Sequence, residues 1–60
     1  MSFVKYLTDI RLERAAAILS TTDRKVQAVA LEVGFEDAGY FTRVFTKKYA
    51  CPPSKYREKK

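Results

Sequence analysis

Arg43 is the residue with most to offer a charged partner. It lies in the run Gly39-Tyr40-Phe41-Thr42-Arg43-Val44-Phe45-Thr46-Lys47-Lys48, where Phe41 and Phe45 repeat at a four-residue step. Successive helical residues lie about 100° apart. If Phe41 and Phe45 face a core, then Gly39, Arg43 and Thr46 lie opposite them, with Thr42 and Lys47 on the flanks. That outer face carries no acid and no large apolar group. An Arg so placed can pair with N7 and O6 of guanine, and a Thr can meet a base edge or a thymine methyl. Gly39, close to the helix start, admits close backbone approach, and the N-terminal dipole there favours phosphate. The chemistry implied is recognition of the major groove of double-stranded DNA.

Little else in the chain could do chemistry. There is no His and a single Cys, Cys51, in 60 residues. One thiol makes no internal disulfide, and a metal site built on paired Cys or His ligands cannot be assembled. Cys51 reads as a small buried apolar residue rather than a redox centre. Glu36 and Asp37 are adjacent acids with no His or nucleophile at hand, so helix capping explains them better than acid/base catalysis. No enzyme, no cofactor and no metal is expected. A chain this short has room for a small core but hardly for an enclosed active site as well.

Those groove-facing positions need elements to hold them. Residues 2–20 lack Gly and Pro and are rich in Ala, Leu, Arg and Glu, which predicts one long helix with Ser2 as N-cap. Its apolar arc is broad. Leu12, Ala15 and Leu19 lie to one side of Leu7, while Phe3, Ile10 and Ala17 lie to the other. Such a helix packs on two sides, and Phe3, Ile10 and Ala17 are expected to be more exposed here than a complete domain would allow. Arg11, among apolar neighbours, is expected to pair with an acid or with backbone carbonyls. Ser20-Thr21-Thr22-Asp23 breaks the periodicity and offers caps. A second helix is expected from about Arg24 to Val33, with Val26, Val29, Ala30 and Val33 inward and Gly34 as its left-handed terminator. Asp37 is the natural N-cap of a third helix, 38–49, with Phe41, Val44, Phe45 and Tyr49 inward. Pro52 and Pro53 forbid its continuation, and Pro53 suits the first turn of a short last helix, 53–58, with Tyr56 folding back onto the core. The fold class is all-α: a homeodomain-like three-helix unit with a short fourth helix, residues 24–49 forming a helix-turn-helix.

Charge supports the same partner. Twelve Lys and Arg against seven Asp and Glu leave +5. Residues 1–33 hold five basic and four acidic groups (+1), and residues 34–60 hold seven and three (+4). The basic surface therefore belongs to the second half, which suits a polyanion. No run approaches the ~18 apolar residues of a membrane span. Met1 to Asp9 lacks the long apolar stretch of a signal peptide, so a cytoplasmic, monomeric fragment is expected. Lys59-Lys60 reads as a solvated tail.

The chain resembles the AraC/XylS family of bacterial transcription regulators at these residues. Tyr6-Leu7, Arg11-Leu12, Ala15 and Ile18-Leu19 match the family's connecting helix. Val26, Val29-Ala30, Gly34-Phe35, Asp37, Tyr40-Phe41, Arg43, Phe45, Lys47 and Pro53-Ser54-Lys55-Tyr56-Arg57 match its second helix-turn-helix unit. The resemblance implies that residues 2–20 connect two such units and that 24–49 form the C-terminal one, with recognition helix 38–49 in the major groove. The first unit and any effector-binding domain are then expected outside this chain. It also implies a transcription regulator, an activator among its possible roles, with RNA polymerase as a further partner of the full-length protein. Base contact is assigned to Gly39, Thr42, Arg43, Thr46 and Lys47, and phosphate contact to Lys25, Tyr40, Lys48 and Arg57, although a structural pairing of Arg57 is equally compatible. The sequence departs from the family pattern at Gly39, where Ser is common, at Thr46, where Lys is usual and Lys48 compensates, at Ala50, where Gly is usual, and at Pro52, where a Ser N-cap is common. If residue 50 is left-handed, Ala costs roughly 1 kcal/mol or more there. The competing reading is a helical protein-interaction module, docking RNA polymerase for example, whose basic face is incidental. A membrane-surface binder fits poorly, because basic residues and aromatics do not share one long face.

Overall fold

The structure, a computed structural model, describes residues 3–58. Ser2 as an N-cap and the Lys59-Lys60 tail lie outside the described residues. Four helices form among the described residues: α1 (Phe3–Thr21), α2 (Val26–Glu32), α3 (Ala38–Tyr49) and α4 (Pro53–Glu58). α2 packs on α1 and α3, and α4 packs on the same two helices.

The hydroxyls at the end of α1 bond back onto it. Thr21 Oγ1 donates to Ala17 O at 2.7 Å, Thr22 Oγ1 to Ile18 O at 2.8 Å, and Ser20 Oγ to Ala17 O at 3.1 Å. These are back-bonds onto carbonyls of the helix itself, and Ile18 O also accepts from Thr22 N at 3.0 Å. The polar cluster that promised caps thus serves the end of α1 rather than the start of α2. α2 accordingly begins at Val26, two residues later than expected, and its N-cap residue Lys25 makes no side-chain capping bond. Its C-terminus is a Schellman motif: Gly34 N donates to Leu31 O and Phe35 N to Ala30 O, at 3.1 and 2.8 Å. Gly34 has φ 109°, a region side chains rarely adopt.

α3 is capped by its own sequence. The Oδ1 atom of Asp37 accepts from Gly39 N at 2.8 Å and from Tyr40 N at 3.3 Å. Lys47 and Lys48 stand in its last turn, where cations suit the carbonyl end of the dipole. The chain then leaves through Ala50 in the left-handed region (φ 62°, ψ 21°), with Ala50 N donating to Thr46 O at 2.8 Å. Pro53, buried, occupies the first position of α4, and Pro52 O accepts from Lys55 N and Tyr56 N.

Leu12, Ala15, Ala16 and Leu19 of α1, Val29, Ala30 and Val33 at α2, Phe35 in the turn and Phe41 and Phe45 of α3 make one core. Ala16 joins it although it lies off the stripe read from the sequence. An aromatic chain runs through the middle: Phe35 to Phe41 at 5.1 Å, Phe41 to Phe45 at 5.6 Å, and Phe45 edge-on to Tyr56 at 5.3 Å. Such pairs contribute about 0.5–1.5 kcal/mol each beyond their burial. Tyr56 does fold onto the core, and Cys51 is buried. On α1, Phe3 is 75% exposed and Ala17 exposed, while Ile10 is half-buried. No helix is long and apolar enough to cross a membrane among the described residues.

Candidate nucleic-acid interface

α3 has two unlike sides because its apolar residues share one face. Phe41 and Phe45 are fully buried, while Gly39, Arg43 and Lys47 are exposed and Thr42 and Thr46 half-buried. Arg43 and Lys47 have no hydrogen-bond or ion-pair partner among the described residues, so both cations remain available. Asp37 holds the helix start, and the Phe35–Phe41 contact holds the preceding turn, so this face is presented on a fixed frame.

Other candidates take different positions. Thr46 donates its hydroxyl to Thr42 O at 2.7 Å, leaving it able to accept a hydrogen bond but with no free proton to give. The amide of Gly39 is committed to Asp37 Oδ1, and a Cβ at residue 39 would lie 3.2 Å from that oxygen. A carboxylate of the chain itself thus stands at the start of α3, where the helix dipole also favours phosphate. Tyr40 is 50% exposed and its ring lies 6.1 Å from that of Phe35. Lys48 turns toward α1, with Nζ 3.9 Å from Asp9 Oδ1 and 5.8 Å from the Tyr49 ring. It lines a groove of about 550 Å³ between α1 and α3, together with Val4, Asp9, Tyr40 and Lys47. Lys25 stands exposed at the start of α2.

Arg57 is a lock within the fold. Its Nε donates to Leu19 O at 3.1 Å and its Nη2 to Arg24 O, so α4 fastens the end of α1 to the loop before α2. Of the two readings open for Arg57, the fold supports the structural one. Arg11 differs from its expectation as well. It has no acid or carbonyl partner among the described residues and lies instead over Gly34, where an added Cβ would sit 2.9 Å from Arg11 Nε. Arg24 pairs with Glu32 across the exposed face of α2. Asp37 is the expected N-cap of α3, and capping was preferred to acid/base chemistry for the adjacent pair Glu36 and Asp37. Only Asp37 caps, and Glu36 is exposed with no partner among the described residues. The phenol of Tyr49 is raised above its ordinary 10.0, chiefly by burial and then by Tyr56, Glu13 and Asp9.

The profile of the helix-turn-helix domain family matches residues 1–59. Over 59 residues the chain is 39% identical to the HTH-type transcriptional activator RhaR of Mannheimia succiniciproducens, which covers 98% of this chain and 21% of that protein. It is 36% identical over 56 residues to the transcriptional activator PerA of Escherichia coli O127:H6, covering 93% of this chain and 20% of the relative. The chain thus spans about a fifth of the length of the curated relatives it matches. Among solved structures, the C-terminal domain of the two-component response regulator yesN from Fusobacterium nucleatum superposes with a TM-score of 0.90 at 42% identity, covering 95% of this chain and 55% of that one.

Proposed function

This chain belongs to the AraC/XylS-type helix-turn-helix family, and from that premise we propose that it binds double-stranded DNA with α3 in the major groove. The observation that carries the reading is the two-sidedness of α3. Phe41 and Phe45 are wholly inside, while Arg43 and Lys47 stand outside with no partner among the described residues. Arg43 reads guanine, Thr42 and Lys47 border it, and Gly39 lets the helix start come close to the base edges. Thr46 contributes as an acceptor. Lys25 meets phosphate at the start of α2, and Tyr40 borders the same groove. Lys48, turned toward Asp9, adds charge rather than a direct contact.

In a regulator of the relatives' length this unit would serve as one reading head, and those relatives are named as transcriptional activators. RNA polymerase is a further partner there. A single module buries only about 600–1,000 Å² on DNA, so the isolated chain binds weakly but with sequence preference. The test is a titration of the chain and its Arg43→Ala variant against several duplexes over a range of salt. Loss of the guanine contact lowers affinity by about 5- to 150-fold on the preferred duplex and little on others. A uniform loss across all sequences contradicts base reading by Arg43. Binding that ignores salt contradicts DNA as the partner altogether.

A further inference from the structure

Glu36 is an acid that no interaction among the described residues employs. Capping of α3 belongs to Asp37, whose Oδ1 takes both Gly39 N and Tyr40 N. Glu36, one residue earlier, is exposed and has neither a hydrogen bond nor an ion pair among the described residues. It does not sit on loose chain. Phe35 before it is 5% exposed in the core, with its amide bonded to Ala30 O at 2.8 Å, and Asp37 after it is tied to the start of α3. Glu36 precedes Gly39 by three residues and Arg43 by seven, at the end of α3 that leads into the groove. The N-terminal residues of a recognition helix are the ones that meet base edges.

A carboxylate at that place conflicts with its surroundings. Phosphates repel it, and most of the major-groove edge consists of acceptors that repel it as well. Amino groups are the exception. The amino group of adenine lies between two acceptors, its own N7 and the O4 of thymine. The N4 amino group of cytosine has an acceptor on one side only, so it is the base edge that best suits a carboxylate. Repulsion from every other edge then contributes to selectivity, as unfavourable contacts with wrong partners do generally.

We propose that Glu36 is a specificity-determining residue, accepting a hydrogen bond from cytosine N4 beside the base read by Arg43 and penalising other bases there. The inference rests on the DNA-reading function proposed above. The test is selection of duplexes from a randomised pool by the chain and by its Glu36→Ala, Glu36→Gln and Arg43→Ala variants, followed by titration of single-base variants of the selected duplex. The parent chain enriches cytosine at one position, with discrimination on the order of tenfold. Glu36→Ala loses that preference and binds the non-cytosine duplexes more tightly. Glu36→Gln moves the preference toward adenine, whose N6 and N7 a Gln reads together. Arg43→Ala keeps the cytosine preference and loses selectivity at a different position. Identical selected sequences for the parent and Glu36→Ala, with affinity raised by one uniform factor, would show repulsion alone and overturn the proposal. If the parent chain selects no sequence at all, the DNA-reading function falls and this inference falls with it.

Discussion

Ala50 ends α3 in a conformation that suits glycine. Its φ of 62° and ψ of 21° lie in the left-handed region, and its N–H donates to Thr46 O at 2.8 Å. The Cβ of a non-glycine residue in that region costs about 1–2 kcal/mol. Ala50→Gly removes that cost while keeping the hydrogen bond. The methyl group is exposed, so little burial is lost with it. Against the gain stands the greater freedom of glycine in the unfolded chain, about 0.4–1 kcal/mol. The net expectation is stabilisation by about 0.5–1 kcal/mol. For a domain of this size each kcal/mol moves Tm by about 4–8 °C, so thermal unfolding followed by circular dichroism should show a rise of about 2–8 °C. An unchanged or lower Tm would refute the strain argument.

Gly34→Ala has the opposite sign. Its φ of 109° is strained for any side chain and the new Cβ would meet Arg11 Nε at 2.9 Å, so denaturant unfolding should show a loss of about 2 kcal/mol or more. Arg57→Ala removes donors from Leu19 O and Arg24 O and should lower stability by about 1–3 kcal/mol in the same assay, while the salt dependence of DNA binding stays as it was. Tyr49 holds its proton more tightly folded than unfolded, so its contribution to stability is full below pH 10.0 and is lost as pH rises through the raised folded value. Unfolding midpoints measured from pH 8 to 12 should therefore decline on the alkaline side, and less so in Tyr49→Phe.

α3 was legible in the sequence because local rules coincide there. Asp37 supplies a cap, Phe41 and Phe45 mark one face, and the two prolines stop the chain, each within one or two turns of the residues it governs. α2 was less legible. Ser20 to Asp23 looks like the start of a helix, yet its hydroxyls reach back to Ala17 and Ile18, and a polar cluster between two helices does not state which of them it serves. Arg57 is out of reach of any local pattern, since Leu19 O lies 38 residues away in sequence. Its family position alone left phosphate and structure equally open. Arg11 was misjudged because an arginine among apolar neighbours suggests an ion pair, whereas the bare backbone of Gly34 offered it a surface to lie on. Asp37 was readable as the cap because a short carboxylate suits an N-cap, whereas nothing local in the sequence showed that Glu36 beside it would be left without a partner among the described residues.

The central claim is that the outward face of α3 meets DNA. Chemical-shift mapping of the isotopically labelled chain with a selected duplex and with an unrelated one tests it most directly. Large perturbations are expected within 36–48, with Arg43 and Lys47 among them, that differ between the two duplexes, and smaller ones at Lys25. Perturbations that avoid 36–48 and gather on α1 or on the exposed face of α2 would contradict it.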